Sequence, residues 1–306
     1  MRLWTATLAV VLTTLGAAFS RAAEPDRYDQ SSVKLEDDAP NPSMTKIILI
    51  AGSPSNKTGQ HEYFAGCALL MQLLKQSPNV WPVMVKEWPT DEKLFDGAKS
   101  IVYYGDGGGK QPFLTDDRWN RFVDRIEKGT GMVLMHQAVD YPAGPQADAV
   151  MRWIGGVWLN DIGCRGHWDM DLKLKSVDSP IQSGVKGFSA PADGWLYNMH
   201  FDQHAKPLLV GQVPSKSRTT QDAKKTPERD EVIAWSFERS SGGRGFAFTG
   251  ADLHKSWGYE DQRRFVVNGI LWTAHCNVPT SGALVELQMD ELNRNLDKKD
   301  APPANK

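Results

Sequence analysis

Eight residues, Gly131-Met132-Val133-Leu134-Met135-His136-Gln137-Ala138, constrain this chain more than any other stretch. The run from Met132 to Met135 is apolar and too short for a helix, and Gly129 and Gly131 mark a turn in front of it. A continuous apolar strand of this kind belongs in the middle of a parallel sheet covered on both faces. In open α/β sheets, ligands bind outside the carboxyl ends of the strands. His136 stands at that end and is expected at the centre of a pocket. The competing reading is a strand-end histidine that only bonds neighbouring backbone.

The chain before this strand repeats one pattern. A buried strand over 46–51 (KIILIA) runs into a polar loop, Gly52 to Gln60, then His61-Glu62. An amphipathic helix comes next, with Phe64, Leu69, Leu70, Leu73 and Leu74 on its apolar side. His61 therefore falls at the carboxyl end of the first strand, on the same side as His136. Glu62 in the first turn suits the positive end of the helix dipole. The loop lacks both GxxxxGK[ST] and GxGxxG, so no nucleotide is expected. Strands over 80–85 and 99–104 come after it, the latter ending in Gly105-Asp106-Gly107-Gly108-Gly109. That glycine run reads equally as a close approach to a ligand or as a turn. A helix over 115–128 begins at Thr115 and stops at Gly129. Strand, loop and helix in repetition predict a doubly wound, mostly parallel α/β sheet sandwiched between helices.

After His136 a helix is expected over 147–154, then Gly155-Gly156-Val157-Trp158. Alternation over 168–175 (WDMDLKLK) predicts a half-exposed strand with His167 at its start. Further strands are expected over 207–213, 231–237 and 243–250, the last leading to Ala251-Asp252-Leu253-His254. A helix over 258–276 buries Phe265, Val266, Ile270, Leu271 and Trp272, and 283–296 suits a short surface helix.

The ends read differently. Residues 1–22 have the form of a secretory signal peptide: Arg2, an apolar segment over 3–15, and small residues Ser20 and Ala22 before the cut. The expected location is periplasmic or extracellular, with no membrane span after cleavage. Residues 23–45 are a flexible lead-in, 46–276 form one α/β domain, and 277–306 are an extension ending in a disordered tail. Net charge is −2 with no basic stripe, so nucleic acid is not an expected partner. Cys67, Cys164 and Cys276 are too few for a disulfide framework and too scattered for a metal site.

Two chemistries suit histidines at strand ends. Neutral imidazoles of His61, His136 and His254 could bind a divalent metal, although no HExxH-like spacing is present. Alternatively, they could act as general acid and base near neutral pH. Asp252 could orient His254 or cap the turn after it. The sequence has eleven tryptophans, several beside Gly, His or Asp: Trp153, Trp158, Trp168, Trp195 and Trp257. Core packing explains most of them, and an indole face could stack on a sugar. No GxSxG or GxCxG elbow is present, and the turn where this architecture would place a nucleophile holds His136 instead.

Between Lys46 and Ala274 the chain resembles the ThuA-like (trehalose utilisation) proteins, whose fold is similar to class I glutamine amidotransferases. The resemblance rests on Gly59-Gln60-His61-Glu62, Val133 to Ala138, Ile154-Gly155-Gly156, His167, Asp178-Ser179-Pro180-Ile181, Gly243 to Gly250, His254 and Asn268 to Ala274. Two departures stand out. The segment Ala192-Asp193-Gly194-Trp195-Leu196-Tyr197 lacks the family's glutamate, and Ser179 replaces its histidine. The resemblance implies carbohydrate catabolism, on disaccharides or glycosides oxidised at C3, and not glutamine amidotransfer. With it, His61, His136, His167 and His254 are the expected catalytic residues and His200 a substrate contact, while the reading of the residues themselves adds Trp158, Trp195 and Asp252 to the substrate lining. A non-catalytic carbohydrate-binding protein of the same fold is the alternative.

Overall fold

The computed structural model describes residues 26–115, 117–225 and 229–299. The expected signal peptide and the last residues of the tail lie outside them. The elements in chain order are β1 (Thr45–Ala51), α1 (Tyr63–Leu74), β2 (Val80–Lys86), β3 (Ser100–Tyr104), α2 (Arg118–Glu127), β4 (Gly131–Met135) and α3 (Pro145–Ile154). Then come β5 (Gly156–Val157), β6 (Cys164–Leu174), β7 (Phe188–Tyr197), β8 (His200–Phe201), β9 (Lys206–Gln212), α4 (Gln221–Lys225), β10 (Asp230–Glu238), β11 (Arg244–Phe248) and α5 (Glu260–Thr273).

One nine-stranded sheet, in the order β2-β1-β3-β4-β11-β10-β9-β6-β7, carries the fold. The first five strands in that order run parallel, and the other four extend the sheet by antiparallel pairing. The central parallel strands β3 and β4 are buried end to end, and β1 from Lys46 onward, because both faces are covered. Period-two alternation sends Ile47, Leu49 and Ala51 to one core with residues of α1 and α5. Ile48 and Ile50 go to a second core with residues of α2 and α3. The result is a three-layer α/β fold, as the strand and helix pattern predicts. Among the described residues no helix is long and apolar enough to cross a membrane, and the three cysteines are free.

Three differences from the sequence reading have local causes. The strand expected from Trp168 begins at Cys164, because pairing with β7 orders a stretch that has no apolar alternation of its own. That partner, interrupted by Pro191 and Gly194, carried no strand signal. The helix expected over 283–296 is extended chain with one 3-10 turn, Met289–Asn293. It buries Ala283 and Val285 and leaves Leu284 64% exposed, which is a two-residue alternation. The two ends also meet: the Gln30 side-chain amide donates to the Asn295 and Leu296 carbonyls and to the Asp297 carboxylate.

Candidate functional site

Four loops at the carboxyl ends of the parallel strands supply the site: Ser55 to His61 after β1, Asp106 after β3, His136 after β4 and Asp252 after β11. Four of their non-glycine residues hold left-handed backbone, with φ 60° at Asn56, 48° at His61, 57° at His136 and 65° at Ala251. Such values are uncommon outside glycine and concentrate where function imposes them. The first and last loops pair directly. Gln60 bridges to Leu253, the His61 amide donates to the Asp252 carbonyl at 3.0 Å, and the His254 amide donates to the Gly59 carbonyl at 2.9 Å. This backbone pairing sets His61 against Asp252.

The side chains then converge. His61 Nε2 lies 2.9 Å from Asp252 Oδ1 and 3.1 Å from His136 Nε2. His136 Nε2 lies 3.4 Å from the same Oδ1. The other carboxylate oxygen, Oδ2, is 2.9 Å from His167 Nε2 and also accepts from the Gln60 side chain at 2.9 Å. Behind His61, Nδ1 faces Ser55 Oγ at 2.7 Å and Asp106 Oδ1 at 3.1 Å. Asp106 also accepts from the Tyr63 and Ser55 hydroxyls. Behind His136, Nδ1 faces the Thr249 carbonyl at 3.1 Å.

These outer partners assign the tautomers. A carbonyl accepts only, so His136 Nδ1 carries the proton and its Nε2 lone pair turns inward. Asp106 does the same for His61, in the carboxylate–histidine arrangement that orients metal ligands. Three lone-pair atoms, His61 Nε2, His136 Nε2 and Asp252 Oδ1, therefore face one another within 3.4 Å. They repel unless a proton or a cation lies among them. Burial opposes the charged form of His61, but hydrogen bonds and charge from Asp106 and Asp252 outweigh it and raise its pKa. Burial also opposes the Asp252 carboxylate, yet with a proton among the three groups the hydrogen bonds and charge of His136 and His61 hold it well below the usual carboxylate range.

The arrangement has an inside and an outside. His61, His136 and Asp252 are buried, while the His167 side chain is 53% exposed and so forms the solvent-facing wall. The glycine run after β3 lies against the chain itself: a Cβ at Gly107 would come within 2.1 Å of the Gln137 carbonyl oxygen. That makes it a packed turn rather than a ligand cradle.

His61, His136 and His167 thus come together as the sequence suggests, and Asp252 proves central instead of peripheral. His254 does not join them. Its ring is buried with neither nitrogen hydrogen-bonded, and burial, helped by the charge of Lys299, pushes its pKa down to about 4. Asp252 therefore does not orient it. Trp158 and Trp195 are 2% and 1% exposed, with their indole N–H groups spent on the Cys164 and Trp168 carbonyls, so neither offers a face to a sugar. His200 is exposed on the β5–β8 ribbon, outside the converging group. Glu62 stands at the N-terminus of α1, and its carboxylate accepts from the Gly59 and Asp297 amides.

Sequence reasoning missed Gln60, Asp106 and Asp193. Asp193 is fully buried and accepts from the Gly194, Ala251 and Leu253 amides, which clamps the loop that presents Asp252. Gly194 beside it has no room for a side chain, since a Cβ there would lie 2.7 Å from Asp252 Cβ, a close approach that only the packing reveals.

Comparisons with known proteins agree with this architecture. The chain is similar over 77% of its length to a ThuA-like protein from Bacteroides uniformis, at 14% identity, 93% coverage of that chain and a TM-score of 0.54. It is similar over 81% of its length to a ThuA-like protein from Parabacteroides merdae, at 15% identity, 99% coverage and a TM-score of 0.54. Both show the shared fold. No curated protein matches the sequence. The family profile described as trehalose utilisation matches residues 51–273, which include every strand-end loop of the site, and the chain belongs to this ThuA family.

Proposed function

We propose that this protein is an exported enzyme of carbohydrate catabolism that acts on glycosides oxidised at C3, by proton abstraction next to the ketone. The observation that carries the reading is the division of Asp252. One carboxylate oxygen joins the inward cluster of His61 and His136, and the other holds half-exposed His167. A base is thereby fixed beside a group of donors that could hold an electrophilic cation.

The donor set fits a divalent cation. Two imidazole nitrogens and one carboxylate oxygen, all within 3.4 Å of one another, match the spacing set by bonds of about 2.1 Å to one ion. Such an ion would polarise a sugar carbonyl as a Lewis acid. The chain's own groups do the proton work. His167, oriented by Asp252, removes the C2 proton of a 3-keto glycoside, and the C–H electron pair moves into the carbonyl as an enolate. Collapse of the enolate forms the C1–C2 double bond and breaks the C1–O bond. The leaving oxygen takes the proton from the His167 imidazolium, so the base returns to its starting state. Ser55, Asp106 and the Thr249 carbonyl keep the two buried imidazoles in one tautomer throughout.

The binding-only alternative takes tryptophans as the platform and histidines as hydrogen-bonding groups; burial of Trp158 and Trp195 weakens it, while Trp168 beside His167 is only partly buried. The test is proton NMR of 3-keto disaccharides in D2O with the mature protein, with and without EDTA, beside His167→Asn and Asp252→Asn. Exchange at C2, or loss of the anomeric signal, in wild type alone supports the proposal, and EDTA sensitivity supports the cation. Unchanged spectra across the panel would sink it. For export, the secreted protein should begin at Ala23; a chain that still starts at Met1 speaks against it.

A further inference from the structure

The residues beyond the family-matched region reach back into the site. Asp297 and Lys299 lie well past residue 273, yet the Lys299 side chain is only 5% exposed. Its ammonium donates to the backbone carbonyls of Gln60 and, at 3.2 Å, of His61, and lies 3.3 Å from the Glu62 carboxylate. Glu62, itself fully buried, also accepts from the Gly59 amide at 2.7 Å and the Asp297 amide at 2.7 Å. Gln30, from the other end of the chain, grips the same strap through Asn295, Leu296 and Asp297.

Two facts give this contact a meaning beyond stability. The two carbonyls that Lys299 holds belong to Gln60 and His61, whose side chains both enter the site. His61 also sits in left-handed backbone, a strained conformation that persists only where its surroundings over-determine it. A buried ammonium needs a full set of acceptors, and this loop conformation supplies them by turning consecutive carbonyls the same way.

We propose that Lys299 is a positioning residue: the C-terminal strap locks the Gln60–His61 backbone so that His61 Nε2 and the Gln60 amide meet Asp252. The inference rests on the proposed site only in supposing that His61 works there. The lock itself is a statement about backbone and can be tested without substrate.

The experiment compares full-length wild type, Lys299→Met and Lys299→Arg by imidazole 15N NMR in EDTA, and by Co2+ titration. Ile181→Ala, a core change under α5, serves as a control for general destabilisation. Lys299→Met is expected to shift or split the His61 ring signals and to weaken Co2+ binding about tenfold or more, while Lys299→Arg keeps both near wild type. Ile181→Ala should lower Tm with the His61 signals unmoved. Lys299→Met with wild-type His61 signals overturns the proposal, as does an equal disturbance in Ile181→Ala. If wild type binds no Co2+, the cation reading fails by itself and the ring signals still decide the lock.

Discussion

The buried ring of His254 makes a quantitative prediction. Its pKa falls from 6.5 to about 4 because burial refuses the charged form and Lys299 adds repulsion. The folded state therefore declines a proton that the unfolded chain accepts. This contribution is fully present above pH 6.5, is lost as pH falls, and stops changing near pH 4. Each tenfold change in proton affinity is worth about 1.4 kcal/mol. The loss between pH 7.5 and 4.5 is thus about 2–3 kcal/mol. Asp297 acts in the opposite sense. Burial, with Glu62 nearby, pushes its pKa from 3.8 up to about 6, so its contribution is lost as pH rises through that window. The two effects partly cancel in wild type, and only a difference isolates His254. His254→Phe keeps a planar ring and removes the titration. Urea unfolding of both proteins in EDTA at pH 7.5 and 4.5 is the assay. Relative to wild type, the variant should gain about 2–3 kcal/mol on going to pH 4.5. Curves that fall in parallel would refute the buried, unpaired histidine.

Three further outcomes rest on the geometry. In Gly194→Ala the new methyl would crowd Asp252 Cβ, so turnover should drop tenfold or more with only a few degrees lost in Tm; an unchanged kcat contradicts the placement. Asp193→Ala strands three buried amides, each worth about 1–3 kcal/mol, offset in part by relief of a buried carboxylate. Its net loss should be about 2–4 kcal/mol by urea unfolding, and a loss below about 0.5 kcal/mol would mean that the amides find other partners. Trp195→Phe gives up one hydrogen bond to the Trp168 carbonyl, so stability should fall by about 1–2 kcal/mol while calorimetric sugar affinity stays constant. A selective loss of affinity would restore Trp195 to the binding surface.

Local pattern alone was enough to read the parallel part of the sheet and the strand ends where the candidate site lies. Buried strands such as 46–51 and 132–135 declare themselves over a few residues, and the positions just past a strand's carboxyl end are found without knowing any distant partner. His61 and His136 were legible for that reason, and His167 came from the family resemblance. Which polar groups meet is a matter of long-range packing. Asp252 and His254 are two residues apart in one loop, yet one faces three histidines and the other faces the core. The difference lies in a left-handed turn at Ala251 and in amides held by Asp193, contacts made across dozens of residues. Likewise, nothing in the composition near Trp158 says which indole face is covered, because burial is set by what packs on it. Lys299 is the extreme case. A lysine in a charged tail reads as solvated, and it is buried only because the fold brings two carbonyls and a carboxylate to one point.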